Sequence, residues 1–196
     1  MLLVMLSLGR KNSIQSKVCS SSSTIGPPGW QLPFTKVKKK ALKKQKVNFV
    51  LRSTNEVVSL NTRVYVVDTL GELRMLYRVT PIAVVGGSFL PSLAGHNFSE
   101  AAAAGCAVLT GPHVGHFYHM LVELWQINPL AVKQLTGEVE LLEALKVMLS
   151  DSKALEARQK AAKDAFSIMS DGVVNRVWNL VSTFAVDSQQ KHGVAV

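Results

Sequence analysis

Two short segments carry residue types that suggest chemistry. In Asp68-Thr69-Leu70-Gly71-Glu72-Leu73 a glutamate stands three positions after a threonine, and in Gly95-His96-Asn97-Phe98-Ser99-Glu100 another stands three positions after an asparagine. At a helix start this spacing is also a capping box, in which polar side chains satisfy the first backbone N–H groups. Either glutamate alone is explained that way. The pair gains a second meaning if both helix starts lie at one edge of the same sheet. A carboxylate in a first helical turn can accept hydrogen bonds from ribose hydroxyls. Gly86-Gly87-Ser88, directly after an apolar run, would let the backbone approach a phosphate with no Cβ in the way. Backbone N–H groups at a helix start offer that phosphate donors and partial positive charge. The chemistry is that of a nucleotide site, with glutamates on the sugar and amides on the phosphate. The G-x-G-x-x-G dinucleotide fingerprint is absent.

Other constellations are weaker. His113, His116 and His119 step by three, but no cysteine or carboxylate stands close by to complete a zinc site, so no metal is expected. His113, in Gly111-Pro112-His113, is read as polar surface or as a phosphate contact. No Ser-His-Asp order or nucleophile elbow is present, which gives a hydrolase little support.

The elements that must position these residues follow from the apolar pattern. Residues 47–51, 63–67, 82–85 and 107–109 are short, nearly continuous apolar runs. Helical patterns over 72–79, 98–104 and 114–126 alternate with them, and 138–149, 153–169 and 173–184 form a helical cap. Buried strands alternating with helices indicate an α/β fold with a doubly wound, Rossmann-like parallel sheet. Ligands of such sheets bind beyond the carboxyl ends of the strands, where both glutamates and the Gly-Gly pair fall.

The chain of 196 residues suits one domain with a tail. Its net charge of +9 is unevenly placed: residues 1–55 hold 11 of the 22 basic residues and none of the 13 acidic ones. The rest is nearly neutral, so the basicity describes the front segment and not the site. Residues 1–46 are set apart as a basic segment, read as disordered or as an organelle-targeting sequence. Residues 47–185 form the domain and 186–196 a tail. The lysine run over 36–46 lacks interleaved aromatics, so no nucleic-acid partner is expected. No apolar run reaches the roughly 18 residues of a membrane-spanning helix. Cys19 and Cys106 are too few for a disulfide framework.

The four motifs around Glu72, Gly87, Glu100 and His113 together resemble the C-terminal domain of Kdo (3-deoxy-D-manno-octulosonate) transferases, with the plant, organelle-directed members nearest. The resemblance spans about residues 47–185. It implies the C-terminal half of a GT-B glycosyltransferase that transfers Kdo from CMP-Kdo to a lipid A-type acceptor, without metal or resident cofactor. By position it implies donor contacts from Leu70, Gly71, Glu72, Gly87, Ser88, His96, Asn97, Phe98, Ser99 and Glu100, with His113 near the phosphate. It also implies a mitochondrial location and association with a membrane surface. The chain departs from the pattern at Ser92-Leu93-Ala94-Gly95, where the family has Arg-Gly-Gly, and at Phe98 and Ala101, where it has prolines. The family's acceptor domain, with its catalytic base, has no counterpart in residues 1–46. The chain is therefore expected to be inactive alone. The alternative is a non-catalytic nucleotide-binding or regulatory fragment.

Overall fold

The computed structural model of the chain describes residues 42–69, 71–93 and 96–192, with side chains as far as Phe184. Most of the basic segment 1–46, together with Leu70, Ala94, Gly95 and the last four residues, lies outside the described residues. Among the described residues, five short parallel strands form two ladders. β1 (Phe49–Leu51) pairs with β2 (Val64–Val66), and β3 (Ile82–Val85), β4 (Ala107–Thr110) and β5 (Val132–Gln134) pair in the order β3-β4-β5.

β4 is the central strand of the larger ladder, and all four of its residues are buried. Its side chains alternate between two cores, as the period of two in a strand requires. Val108 joins Ala83 and Val85 in a cluster with Phe98, Leu121, Leu124, Ala162 and Ala165. Ala107 and Leu109 join Ile82 and Val84 in the other, with Leu135, Ala144 and Met148. The first core is closed by α2 (Ser99–Ala103), α3 (Tyr118–Ile127) and α5 (Ser152–Ser170), the second by α4 (Glu138–Ser150). Helices thus cover both faces of the parallel ladder, as the apolar runs require. α1 (Leu73–Tyr77) follows β2 and packs against α2.

Asp151 is at once the residue that ends α4 and the N-cap of α5, where its side chain accepts from the N–H groups of Lys153 and Ala154. From this elbow α5 runs beneath the amino ends of the strands. Arg158 donates to the carbonyl of Leu130 ahead of β5, and Gln159 to that of Pro81 ahead of β3. The carboxyl ends of the strands are at the opposite edge. The last helix, α6 (Val173–His192), runs through most of the predicted tail. Asp187 to Lys191 contain no breaker, and the first glycine beyond is Gly193. No helix among the described residues is long and apolar enough to cross a membrane.

Candidate functional site

The carboxyl edge of the sheet gathers the loops that follow four of the strands. After β3 the chain turns at once into a short 3-10 turn, Gly86–Phe89. Ser88 within it is fully buried. Its hydroxyl donates to the carbonyl of Val85 and accepts the N–H of Gly111 at 2.6 Å, while its own carbonyl accepts the N–H of His113 at 2.9 Å. One serine therefore ties the loop after β3 to the loop after β4. A Cβ on Gly111 would collide with the Ser88 backbone, 2.7 Å from its carbonyl carbon. Gln134, at the end of β5, donates from Nε2 to the carbonyls of Gly111 and Pro112 at 3.3 and 3.4 Å. Three strand ends are thus locked together.

His96 lies over Gly87. A Cβ there would sit 2.6 Å from its Cδ2 and 2.9 Å from its Nε2, so glycine supplies the space for the ring. Burial holds the imidazole below its ordinary pKa. Asn97 follows, and its Oδ1 accepts the N–H of Ser99 at 2.8 Å. This two-residue turn starts α2 without Glu100, whose exposed side chain makes no hydrogen bond or ion pair with the described residues. The expected capping box does not close there. Phe98 is fully buried and meets the Phe117 ring edge-on, with centroids 6.3 Å apart. Its side chain is a core anchor, which limits any ligand contact by Phe98 to its backbone. The Ser88 hydroxyl is likewise engaged inside the fold.

The second expected capping box does not close either. Glu72 is itself the residue before α1 and makes no side-chain cap bond, while the Thr69 hydroxyl is buried with no partner among the described residues. Glu72 turns instead to Arg52, whose Nε donates to its Oε2 at 2.9 Å. Tertiary attraction to a cation here outweighs the local cap. Gly71 precedes Glu72 at φ +83°, a left-handed conformation that glycine adopts without penalty. Leu70 lies outside the described residues.

α1 follows β2, α2 follows β3, and the two helices pack together, so each start lies beyond the carboxyl end of the strand before it. The charge of Glu100 reaches Tyr77, whose pKa rises to about 12, chiefly through burial, with Cys106 and Glu100 adding to it. Each helix is only five residues long. Local N–H groups, not a long macrodipole, are then the donors for an anion. The structure thus brings Gly87, His96, Asn97, Ser99, Glu100 and the backbone of His113 to one edge. Residues beyond the sequence reading are Arg52, Asp68 and Gln134. Asp68, buried at the end of β2, accepts from Ser53 N at 2.9 Å and Ser53 Oγ at 2.7 Å. Arg52 and Asp68 each stand just after an apolar run that predicts a strand, a signal the sequence offers; Gln134 ends β5, which the apolar pattern does not mark.

His113, His116 and His119 are part of no group of three or more metal-ligating side chains among the described residues. A groove of about 580 Å³ between α4 and α5, lined by Lys133, Glu140, Val147 and Arg158, includes none of the predicted site residues.

Comparison with known proteins gives this edge its chemical context. Over 142 residues the chain is 52% identical to the probable mitochondrial 3-deoxy-D-manno-octulosonic acid transferase of Arabidopsis thaliana, a match covering 72% of this chain and 32% of the relative. The chain is a homologue of the Kdo transferases. The Haemophilus influenzae 3-deoxy-D-manno-octulosonic acid transferase is 33% identical over 148 residues, covering 73% of this chain and 33% of that protein. The chain therefore spans about a third of the length of the Kdo transferases it matches. Among solved structures, the C-terminal CMP-Kdo binding domain of WaaA from Acinetobacter baumannii has the same fold, with a TM-score of 0.62 and 22% identity over 67% of each chain. No protein-family model matches the chain. The expected parallel strands between helices and the helical C-terminus are observed, in the fold of that domain.

Proposed function

We propose that this chain is the donor-binding part of a Kdo transferase and binds CMP-Kdo at the carboxyl edge of its strands. The observation that carries the reading is Glu100. It is an exposed carboxylate in the first turn of α2, with no side-chain hydrogen bond or ion pair to the described residues, four positions after the His96 ring that lies on Gly87. Support comes from the Kdo transferase homologues and from the fold shared with a CMP-Kdo binding domain. In this reading Glu100 and Glu72 accept the ribose hydroxyls. Backbone N–H groups of the loop after β3 and the start of α2, with His96 and His113 nearby, face the phosphate.

In the complete reaction an acceptor hydroxyl attacks the anomeric carbon of Kdo, and the bond from that carbon to the CMP phosphate oxygen breaks. The departing phosphate gains charge, and donors already aimed at it lower the barrier. A carboxylate takes the hydroxyl proton. We assign that base, and the surface for a lipid A-type acceptor, to the part of the relatives this chain does not match. No metal or resident cofactor is invoked. The mitochondrial relative supports a mitochondrial location for this chain. The acceptor's lipid nature would put the working enzyme at a membrane surface.

The test is calorimetric titration of the chain with CMP beside an assay of Kdo transfer from CMP-Kdo. Binding without transfer is the expected result. Glu100→Gln should weaken CMP binding by about tenfold, the weight of one hydrogen bond to a charged group. An unchanged affinity would refute the assignment of Glu100.

A further inference from the structure

We propose that Arg52 is a positioning residue of the donor site, holding the Glu72 carboxylate in the orientation from which it accepts a ribose hydroxyl. The inference rests on the ribose assignment of Glu72 made above. Arg52 directly follows β1, and Glu72 follows the neighbouring parallel strand β2. Their ion pair joins the carboxyl ends of the two strands across twenty residues of sequence.

The guanidinium is fixed before it reaches Glu72. Its NH1 donates to Asn55 Oδ1 at 2.7 Å, and Asn55 closes the turn Arg52–Thr54 in a left-handed conformation, φ 52°. Asp68 anchors the same turn from β2 through both the N–H and the hydroxyl of Ser53. Nε is therefore presented to Glu72 by a turn held on two sides.

The pair is also sheltered, with the Arg52 and Glu72 side chains 17% and 18% exposed. Ion pairs of mobile, exposed side chains do little, because the side chains must give up rotamer freedom to meet. Here that freedom is already restricted. The Glu72 side chain is needed by nothing in α1, and Oε1 receives no hydrogen bond from the described residues while Oε2 is engaged by Arg52. One pinned oxygen and one available oxygen describe a carboxylate oriented in advance, which reduces the ordering cost of binding. A plain clamp between the β1 turn and α1 would use the same bond but would not favour one ligand over another.

Ligand selectivity separates the two. The full chain is titrated with CMP and with 2′,3′-dideoxy-CMP, which keeps base and phosphate. Wild type should favour CMP by about a hundredfold, the equivalent of one hydrogen bond to each of Glu72 and Glu100. Arg52→Gln should cut that preference to about tenfold, the share of Glu100, while dideoxy-CMP affinity stays within about twofold. Arg52→Lys, which restores the charge without the fork, should recover part of it. The double variant with Glu72→Gln should be no worse than Glu72→Gln alone. Equal losses for both ligands on Arg52→Gln would reveal a clamp and overturn the proposal, as would an intact preference in that variant. If Arg52→Gln does not fold, Arg52→Lys decides: a reduced preference supports positioning and a wild-type preference overturns it. A wild type that binds CMP without preference, or a Glu72→Gln that keeps the full preference, removes the ribose assignment and positioning with it. A wild type that binds neither ligand overturns the donor-site reading itself.

Discussion

Replacing Ser88 by alanine tests whether the site is built by its loops or merely decorated by them. The Ser88 hydroxyl is fully buried between the carbonyl of Val85 and the N–H of Gly111, and both of those residues are buried too. Ser88→Ala removes one oxygen and leaves a buried donor and a buried acceptor without a partner. The vacated space is too small to admit a water that could replace it. An unsatisfied buried group costs about 1–3 kcal/mol, so a loss of about 2–3 kcal/mol is expected from two such groups with partial relaxation. For a chain of this size that lowers the thermal midpoint by about 4–10 °C. Urea unfolding should show the same loss as a lower midpoint with an unchanged m value. CMP affinity, measured well below both melting midpoints, should change by less than about threefold, because the hydroxyl faces the fold and not the ligand. A stability loss under about 0.5 kcal/mol would refute the reasoning, since the Gly111 amide would then have another acceptor.

Three further outcomes are expected. Gly87→Ala places a methyl group 2.6 Å from the His96 ring. A side-chain ring can swing aside, so stability should change by less than about 1 kcal/mol while CMP affinity falls, as melting and calorimetry on one sample can show. His96 is held below its ordinary pKa of 6.5 by burial, so the unfolded chain takes up the proton more readily. Its contribution to stability is present above that value and is lost as pH falls below it; an identical pH dependence in His96→Asn would contradict this. Burial raises the Cys106 thiol to about 12, and its Sγ contacts the carbonyls of Tyr77 and Thr80. Iodoacetamide at pH 8 should therefore leave Cys106 unmodified in the native chain and alkylate it in denaturant, as read by peptide mass spectrometry.

The elements were legible where one physical signal dominated. β3 and β4 are apolar runs ended by glycine, and the helices over Glu138–Ser150 and Ser152–Ser170 agree with the expected spans to within a residue. β5 was not foreseen, because three residues containing Lys133 and Gln134 have no buried-strand pattern; pairing with β4 creates the strand. The capping boxes failed for a related reason. Local spacing gives Glu72 a cap to make, but Arg52 lies twenty residues away and only the parallel pairing of β1 with β2 brings it near. Arg52 was also hidden by the company it keeps, as the last of eleven basic residues in a stretch without acid. Phe98 stands inside a site motif, yet its bulk and apolarity send its side chain to the core. The main-chain frame of the site was readable, whereas the partners of its side chains depended on contacts distant in sequence.

Asp151 joins two helices that serve opposite faces of the sheet. α4 lays Ala144 and Met148 on one core, while α5, after Leu155, delivers Ala162 and Ala165 to the other. A single residue between them leaves no slack, so neither layer can peel away without pulling on its opposite number. The two cores should consequently open as one cooperative unit, with amide protons of α4 and α5 exchanging at matched rates. A chain assembled from small layers thereby acquires the mechanical unity of a larger one.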